Sequence, residues 1–208
     1  MTEYSFVKGR YQTEIEIKRS RFIATMCGEV DSDSAQSFVD EVKKTYPDAR
    51  HNCYAYIADD IGNVAKFSDD GEPSGTAGQP ILEVLKKSGL VKTAVVVTRY
   101  FGGIKLGASG LLSAYTKAVV ECIKSAKIVT KKKATENIVS CDYSQFATIE
   151  GYLRNADFVF DSVEYGDIVT AKVYVTIDKQ KQFEETILEK TNGLAKIEFG
   201  EVLFVEFS

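Results

Sequence analysis

The clearest pattern of hydrophobic and polar positions lies in the last third of the chain. Every second residue from Val169 to Ile177 is apolar, and the residues between them are polar or amphipathic. This alternation is typical of a strand with one buried sheet face. The neighbouring pattern predicts helices at 144–155 and 179–191 and strands at 135–141, 158–165, 168–177 and 195–207. The resulting βαββαβ order is that of a ferredoxin-like domain, which we place at residues 134–208.

The first part of the chain predicts a mixed α/β arrangement. Strands are expected at 12–17, 21–30, 51–58, 64–67 and 90–98, and helices at about 33–46, 79–88 and 108–125. The 90–98 segment is almost continuously apolar, as expected of a strand covered on both faces. In the last of these helices, Leu111, Tyr115, Val119 and Cys122 form one apolar stripe. We therefore predict a first domain at residues 1–130, and the basic run 131–133 (KKK) is most simply a solvated linker.

The composition and charge of the chain argue against several classes of protein. The 208 residues are 44% hydrophobic and 27% charged, with a net charge of −4, which is unlike a nonspecific nucleic-acid binder. No apolar run reaches the roughly 18 residues needed to cross a bilayer, and the N-terminus lacks the apolar core of a signal peptide. A cytoplasmic protein without membrane contact is expected. The single histidine and four dispersed cysteines make a structural zinc site improbable.

Two glycine-dense loops are the outstanding local feature. They occupy residues 68–80 and 98–110, and six of the fifteen glycines fall between Gly71 and Gly103. Glycine allows positive φ and close approach of another group. The clustering predicts a shaped backbone surface.

The first loop carries three carboxylates, Asp69, Asp70 and Glu72, beside Ser74 and Thr76. Closely spaced carboxylates can hold Mg²⁺. They can equally cap turns, because Asp readily accepts hydrogen bonds from backbone N–H groups.

The second loop carries cations beside aromatic rings. Arg99 and Lys105 could bind phosphate, with Tyr100 or Phe101 as a stacking face and Gly102 and Gly103 shaping the turn. Alternatively, the aromatics belong to the core and Arg99 pairs with an acid such as Asp69 or Asp70.

Ser109 lies in the stretch 107–110 (GASG), just before or within the start of a predicted helix. Helix N-termini bind anions, but Ser109 is also a suitable N-cap. The stretch is neither a P-loop nor a dinucleotide fingerprint.

Other candidates are weaker. Five basic residues near the N-terminus could complete a local cationic patch, or they could be a solvated face paired with Glu14 and Glu16; they are Lys8, Arg10, Lys18, Arg19 and Arg21. His51 and Cys53 share a strand face but lie too far apart for a good hydrogen bond, so a Cys–His dyad is not favoured.

The two loop segments, DDGEPSGTAGQPIL (69–82) and TRYFGGIKLGASGLLSAY (98–115), resemble the signature of the YigZ/Impact family. The resemblance extends over the whole chain. It implies a βαβ-containing N-terminal sandwich like domain IV of elongation factor G, followed by a domain similar to domain V of that factor. It also implies a link to translation, since the eukaryotic relatives regulate translation through the amino-acid-starvation kinase pathway.

These observations predict an α+β protein of two domains that binds a partner rather than catalysing a reaction. The expected partner is RNA, the ribosome or a ribosome-associated protein, without a cofactor. No sequence feature points to a particular oligomeric state. The expected contact set comprises Asp69, Asp70, Glu72, Ser74, Thr76, Arg99, Tyr100, Gly102, Gly103, Lys105 and Ser109. The alternative is a nucleotide- or phosphate-binding enzyme that uses the acidic loop with Mg²⁺ in a concave site.

Overall fold

The computed structural model describes residues 2–155 and 157–207. Its internal contacts divide the chain into two compact units, residues 3–129 and residues 130–207, which we call the N-terminal and C-terminal units. Both units combine helices with a mainly antiparallel sheet. The predicted α+β class is therefore confirmed.

The N-terminal unit contains six strands and three helices. They are β1 (Glu3–Val7), β2 (Arg10–Ile17), β3 (Ser20–Gly28), α1 (Ser32–Thr45), β4 (His51–Ile57), β5 (Ala65–Ser68), α2 (Gly78–Lys87), β6 (Thr93–Tyr100) and α3 (Gly107–Ser125). β1 was not predicted, although its Phe6 and Val7 are buried.

The sheet of this unit has the strand order β2-β3-β6-β4-β5. β3 and β4 both pair antiparallel with β6, so β3–α1–β4 is a βαβ crossover. Helices α2 and α3 cover one face, where Val95 and Val97 of β6 join the core. Helix α1 covers the other face, against Ala94 and Val96. The prediction that this apolar strand is covered on both faces is confirmed.

The described residues of the C-terminal unit form four strands and two α-helices. They are β7 (Ile128–Cys141), which begins in the N-terminal unit, α4 (Tyr143–Leu153), β8 (Val159–Tyr165), β9 (Val169–Thr176), α5 (Gln180–Lys190) and β10 (Lys196–Phe207). The strands pair antiparallel in the order β10-β7-β9-β8. Both helices pack on one sheet face through Phe146, Ile149, Phe183 and Ile187. The order is that of a ferredoxin-like domain.

The prediction of a linker at Lys131–Lys133 is wrong. These residues lie inside β7 and pair in register with Glu206, Val205 and Phe204 of β10. The β10 ladder pairs one edge of the strand, and on the other edge the Lys133 N–H donates to the Thr2 carbonyl at 2.7 Å. The strand does not bury every side chain, so lysines are accommodated. The Lys131–Glu206 position also brings opposite charges together, which favours the pairing.

Within residues 2–155 and 157–207, every helix is too short or too polar to span a membrane.

Candidate functional site

The first glycine-rich loop joins β5 to α2 and is organised around Asp69. Its Oδ1 accepts hydrogen bonds from the N–H groups of Ala77 (3.0 Å) and Gly78 (2.8 Å), and its Oδ2 accepts one from Gly75 (2.8 Å). The N-cap residue of α2, Ala77, has no capping side chain of its own. Asp69 therefore supplies the cap from outside the helix, where its charge also complements the helix dipole.

We expect the substitution Asp69→Asn to destabilise the N-terminal unit by about 1–2 kcal/mol, the range for loss of a helix cap. The amide retains one acceptor oxygen but presents an NH₂ group to one of the N–H donors. Calorimetric unfolding of the variant measures the effect. The control is Asp59→Asn, which changes a carboxylate that accepts hydrogen bonds from Asn63 and Val64 in an exposed turn. An equal loss in both variants would contradict a special role for Asp69.

Asp70 is also committed to protein donors. Its Oδ1 lies 2.7 Å from Lys43 Nζ, and its Oδ2 accepts a hydrogen bond from the Asn52 N–H at 2.7 Å. Its carbonyl oxygen lies 2.9 Å from His51 Nδ1. Asp70 thus ties the loop to β4 and α1.

Glu72 forms a buried ion pair with Arg99. The distance from Oε1 to Arg99 Nη1 is 2.6 Å, and the two side chains are only 4% and 7% exposed. Tyr115 of α3 donates a hydrogen bond to the same carboxylate oxygen at 2.8 Å. The guanidinium carbon of Arg99 lies 5.4 Å from the centre of the Phe22 ring and 5.6 Å from that of Phe101. The pair therefore joins both glycine-rich loops to the core.

Cys53 completes this network as a neutral thiol. Its Sγ donates to the Asp69 carbonyl oxygen at 2.9 Å and lies 3.3 Å from the Tyr115 hydroxyl. Burial raises the pKa of the Cys53 thiol to about 12, and burial also raises the pKa of Tyr115 well above its usual range. A thiol of this kind is a poor nucleophile, which agrees with the weak expectation of a Cys–His dyad.

The remaining polar residues of the first loop divide between core and surface. The buried Thr76 donates its hydroxyl hydrogen to the Pro73 carbonyl at 2.6 Å, whereas Ser74 is exposed.

The three acidic side chains of this loop, Asp69, Asp70 and Glu72, all have protein donors as partners. Within the described residues, no group of three His, Cys, Asp or Glu side chains is arranged to hold a metal ion. The magnesium hypothesis therefore has no free ligand set in that part of the chain.

The second glycine-rich loop follows β6 and lies against the β2–β3 turn. Gly102 donates its N–H to Ser20 Oγ at 3.1 Å. A Cβ on Gly102 would lie 2.0 Å from the backbone C and O of Arg19. This turn carries Lys18 and Arg19 at φ 47° and 64°, and the backbone of Arg19 lies directly against the loop.

Four exposed residues lie on this turn and loop: Lys18 and Arg19 on the turn, and Phe101 and Lys105 on the loop. We call this set the cationic edge. Phe101 is 53% exposed. Its neighbour Tyr100 instead donates its hydroxyl hydrogen to Asp48 at 2.8 Å, with the Arg21 guanidinium 5.4 Å from its ring centre.

The start of α3 differs from the expectation for Ser109. The helix begins at Gly107 with Leu106 at the N-cap position and without a side-chain cap. Ser109 is the third helical residue and is exposed, so the prediction that it is the N-cap is wrong. Gly107 has φ +72° and turns the chain into the helix before Ser109 is reached.

A cavity of about 550 Å³ lies between α2 and α3. Its lining includes Gln79, Val84, Leu112 and Thr116, with Gly75 at the first loop. Asp69, Asp70, Glu72 and Ser109 do not line it. This cavity is therefore not the acidic site that the enzyme alternative requires.

The sequence matches known families over both units. Residues 18–123 match the Impact N-terminal domain, and residues 139–194 match a domain of unknown function, DUF1949. The chain is 42% identical over 98% of its length to IMPACT family member YvyE of Bacillus subtilis, covering 94% of that protein. It is 37% identical over 86% of its length to IMPACT family member YigZ of Escherichia coli, covering 88% of that protein.

A crystal structure of a hypothetical protein shares the fold. It is 33% identical, with a TM-score of 0.62 over 97% of this chain and 98% of that one. The Impact N-terminal match contains both glycine-rich loops. Given these matches over nearly the whole length, the chain belongs to the IMPACT family.

Proposed function

We propose that this protein is a cytoplasmic, translation-linked binding protein that contacts RNA, free or within the ribosome, through the cationic edge. The observation that carries this proposal is the packing of the β2–β3 turn, which carries two exposed cations, against the loop that holds the half-exposed Phe101. The backbone of Arg19 lies against Gly102, Lys18 precedes Arg19 in the turn, and Lys105 lies four residues after Phe101. Cations beside a stacking face are the usual means of holding RNA outside a duplex.

In the described part of the chain, the cations of this edge have no ion pairs, unlike three other basic residues of the N-terminal unit. Arg10, Arg21 and Lys43 pair with Glu41, Glu14 and Asp70. Lys18, Arg19 and Lys105 have no ion-pair partner among residues 2–155 and 157–207. Unpaired cations are available to neutralise phosphates, and release of counterions from the nucleic acid then favours binding.

Arg99 supports the cationic edge from the protein interior, where its guanidinium faces the Phe101 ring. Because its guanidinium is buried against Glu72, it fixes the loop without reaching a phosphate.

The link to translation rests on the family resemblance, which implies a domain like one in elongation factor G. With a net charge of −4, the protein lacks the overall basic balance of a nonspecific nucleic-acid binder, so the proposed contact is a local one.

The test is the triple variant Lys18→Gln, Arg19→Gln and Lys105→Gln. We expect it to bind a single-stranded RNA at least about tenfold more weakly at low salt. The slope of log K against log salt concentration should become shallower by about 0.7 for each lost phosphate contact. Fluorescence anisotropy measures both quantities, and co-sedimentation reports association with ribosomes.

The matched control removes the same charge elsewhere in the N-terminal unit. Lys44, Lys87 and Lys117 are exposed lysines on α1, α2 and α3, and their triple change to glutamine should leave affinity within about twofold of wild type. If wild-type protein binds neither RNA nor ribosomes at low salt, the proposal fails. RNase-insensitive association with a protein, without RNA binding, would also contradict it.

A further inference from the structure

Phe101 has an unusual position for a large apolar side chain. It directly follows the buried strand β6, yet 53% of the residue is exposed. One side of its ring faces the Arg99 guanidinium, whose carbon lies 5.6 Å from the ring centre. Arg99 is itself held by Glu72 at 2.6 Å. The ring is thus supported from the core side and open to solvent elsewhere.

A supported ring is suited to stacking. A side chain that is already fixed loses little conformational entropy when a ligand covers it. Ile104, 40% exposed, lies three residues further along the same loop. The loop that carries Phe101 and Lys105 thus exposes two large apolar side chains.

An exposed aromatic ring near cations suits unpaired RNA better than duplex RNA. In a duplex the bases are stacked on one another, so contacts are made with phosphates and 2′-hydroxyl groups across the minor groove. A protruding aromatic ring contributes little there. An unpaired base, by contrast, can place its face on the ring while its flanking phosphates meet lysine or arginine. Phe101 shares its loop with Lys105, and this loop packs against the turn that carries Lys18 and Arg19, so the arrangement fits the second case.

We infer that the cationic edge recognises unpaired RNA, with one base stacked on Phe101 and the flanking phosphates held by Lys18, Arg19 and Lys105. This inference rests on the proposed function and specifies the ligand of the same surface. Because stacking on an aromatic face is tolerant of base identity, the site selects strandedness more than sequence.

The experiment uses the full-length protein and two RNA probes. One is a U-rich single strand of twelve nucleotides with a central 2-aminopurine, and the other is the blunt duplex of that strand. The variant Phe101→Leu keeps an apolar side chain but removes the ring, and Phe101→Trp restores a ring. Phe67→Leu is the control, since Phe67 is a 45% exposed phenylalanine on β5 of the same unit.

We expect wild type to prefer the single strand and to quench 2-aminopurine emission as the base stacks. Phe101→Leu should lose about tenfold or more in single-strand affinity, as removal of one stacking platform does. Its duplex affinity should change little. Phe101→Trp should retain affinity and quenching, and Phe67→Leu should match wild type.

The outcomes separate this inference from the proposed function. If wild type binds the duplex as tightly as the single strand, or Phe101→Leu has no effect, the inference is overturned while RNA binding stands. Unchanged 2-aminopurine emission in the wild-type complex overturns it even if Phe101→Leu is unstable. Absence of binding to either probe at low salt defeats both proposals.

Discussion

Replacing Glu72 by glutamine is expected to destabilise the N-terminal unit by about 3–5 kcal/mol, the cost of removing one partner of a buried ion pair. The substitution preserves side-chain size but leaves the Arg99 guanidinium buried without its counter-charge. Arg99 Nε already has no hydrogen-bond partner among the described residues. Calorimetry should show the melting temperature of this unit falling by roughly 10–20 °C.

Two comparisons isolate the effect of burial. Glu14→Gln removes a carboxylate that pairs with Arg21 at 2.7 Å, but these side chains are 44% and 50% exposed. That control should cost less than about 1 kcal/mol, as exposed pairs do. The double variant Glu72→Gln, Arg99→Met removes both charges and should recover part of the lost stability. Equal effects of Glu72→Gln and Glu14→Gln would show that burial is not the cause.

The elements that sequence predicts well are those with a strong local pattern. The apolar stripe on α3 contains Leu111, Tyr115, Val119 and Cys122, and all four are buried. The alternation along β9 likewise buries Val169, Ala171, Val173 and Val175, whereas Ile177, which was predicted to continue it, lies beyond the end of the strand and is exposed. In such segments the periodicity of side-chain direction alone separates the buried face from the exposed one.

The partners of the loop carboxylates could not be predicted in this way. The sequence suggested an acid partner for Arg99 but pointed to Asp69 or Asp70, whereas the partner is Glu72. Asp69 instead caps α2 from eight residues before Ala77, outside the usual N-cap position. These choices depend on how the loop closes over the sheet, which no local spacing encodes.

The exposure of each residue along the second glycine-rich loop also could not be predicted from the local sequence pattern. Arg99, Tyr100 and Phe101 are consecutive, yet Arg99 is buried, Tyr100 is half-buried and Phe101 is exposed. β6 is buried on both faces up to Arg99 and ends at Tyr100, so no alternation of buried and exposed positions carries over to Phe101. The sequence named Arg99 and Lys105 as the cations beside the ring and offered Lys18 and Arg19 only within a larger basic set, whereas the structure buries Arg99 and packs the turn of Lys18 and Arg19 against Gly102.

Replacing Gly102 by alanine is expected to destabilise the N-terminal unit by about 3 kcal/mol, at the upper end of the usual cost of inserting atoms into a packed site. The added Cβ would lie 2.0 Å from the backbone C and O of Arg19 and 2.4 Å from the Ser20 N. Backbone atoms cannot move aside as a flexible side chain can, so the β2–β3 turn and the loop must separate.

The same substitution tests how the cationic edge is assembled. Separation of the turn from the loop moves Lys18 and Arg19 away from Phe101, so single-strand RNA affinity should fall together with the melting temperature. Gly103→Ala is the matched control, because a Cβ there meets nothing within 4 Å although φ is +84°; the backbone strain should cost about 1–2 kcal/mol. If Gly103→Ala weakens RNA binding as much as Gly102→Ala, loop conformation rather than contact with the β2–β3 turn governs the site. If Gly102→Ala binds RNA like wild type, the turn cations do not act in concert with Phe101.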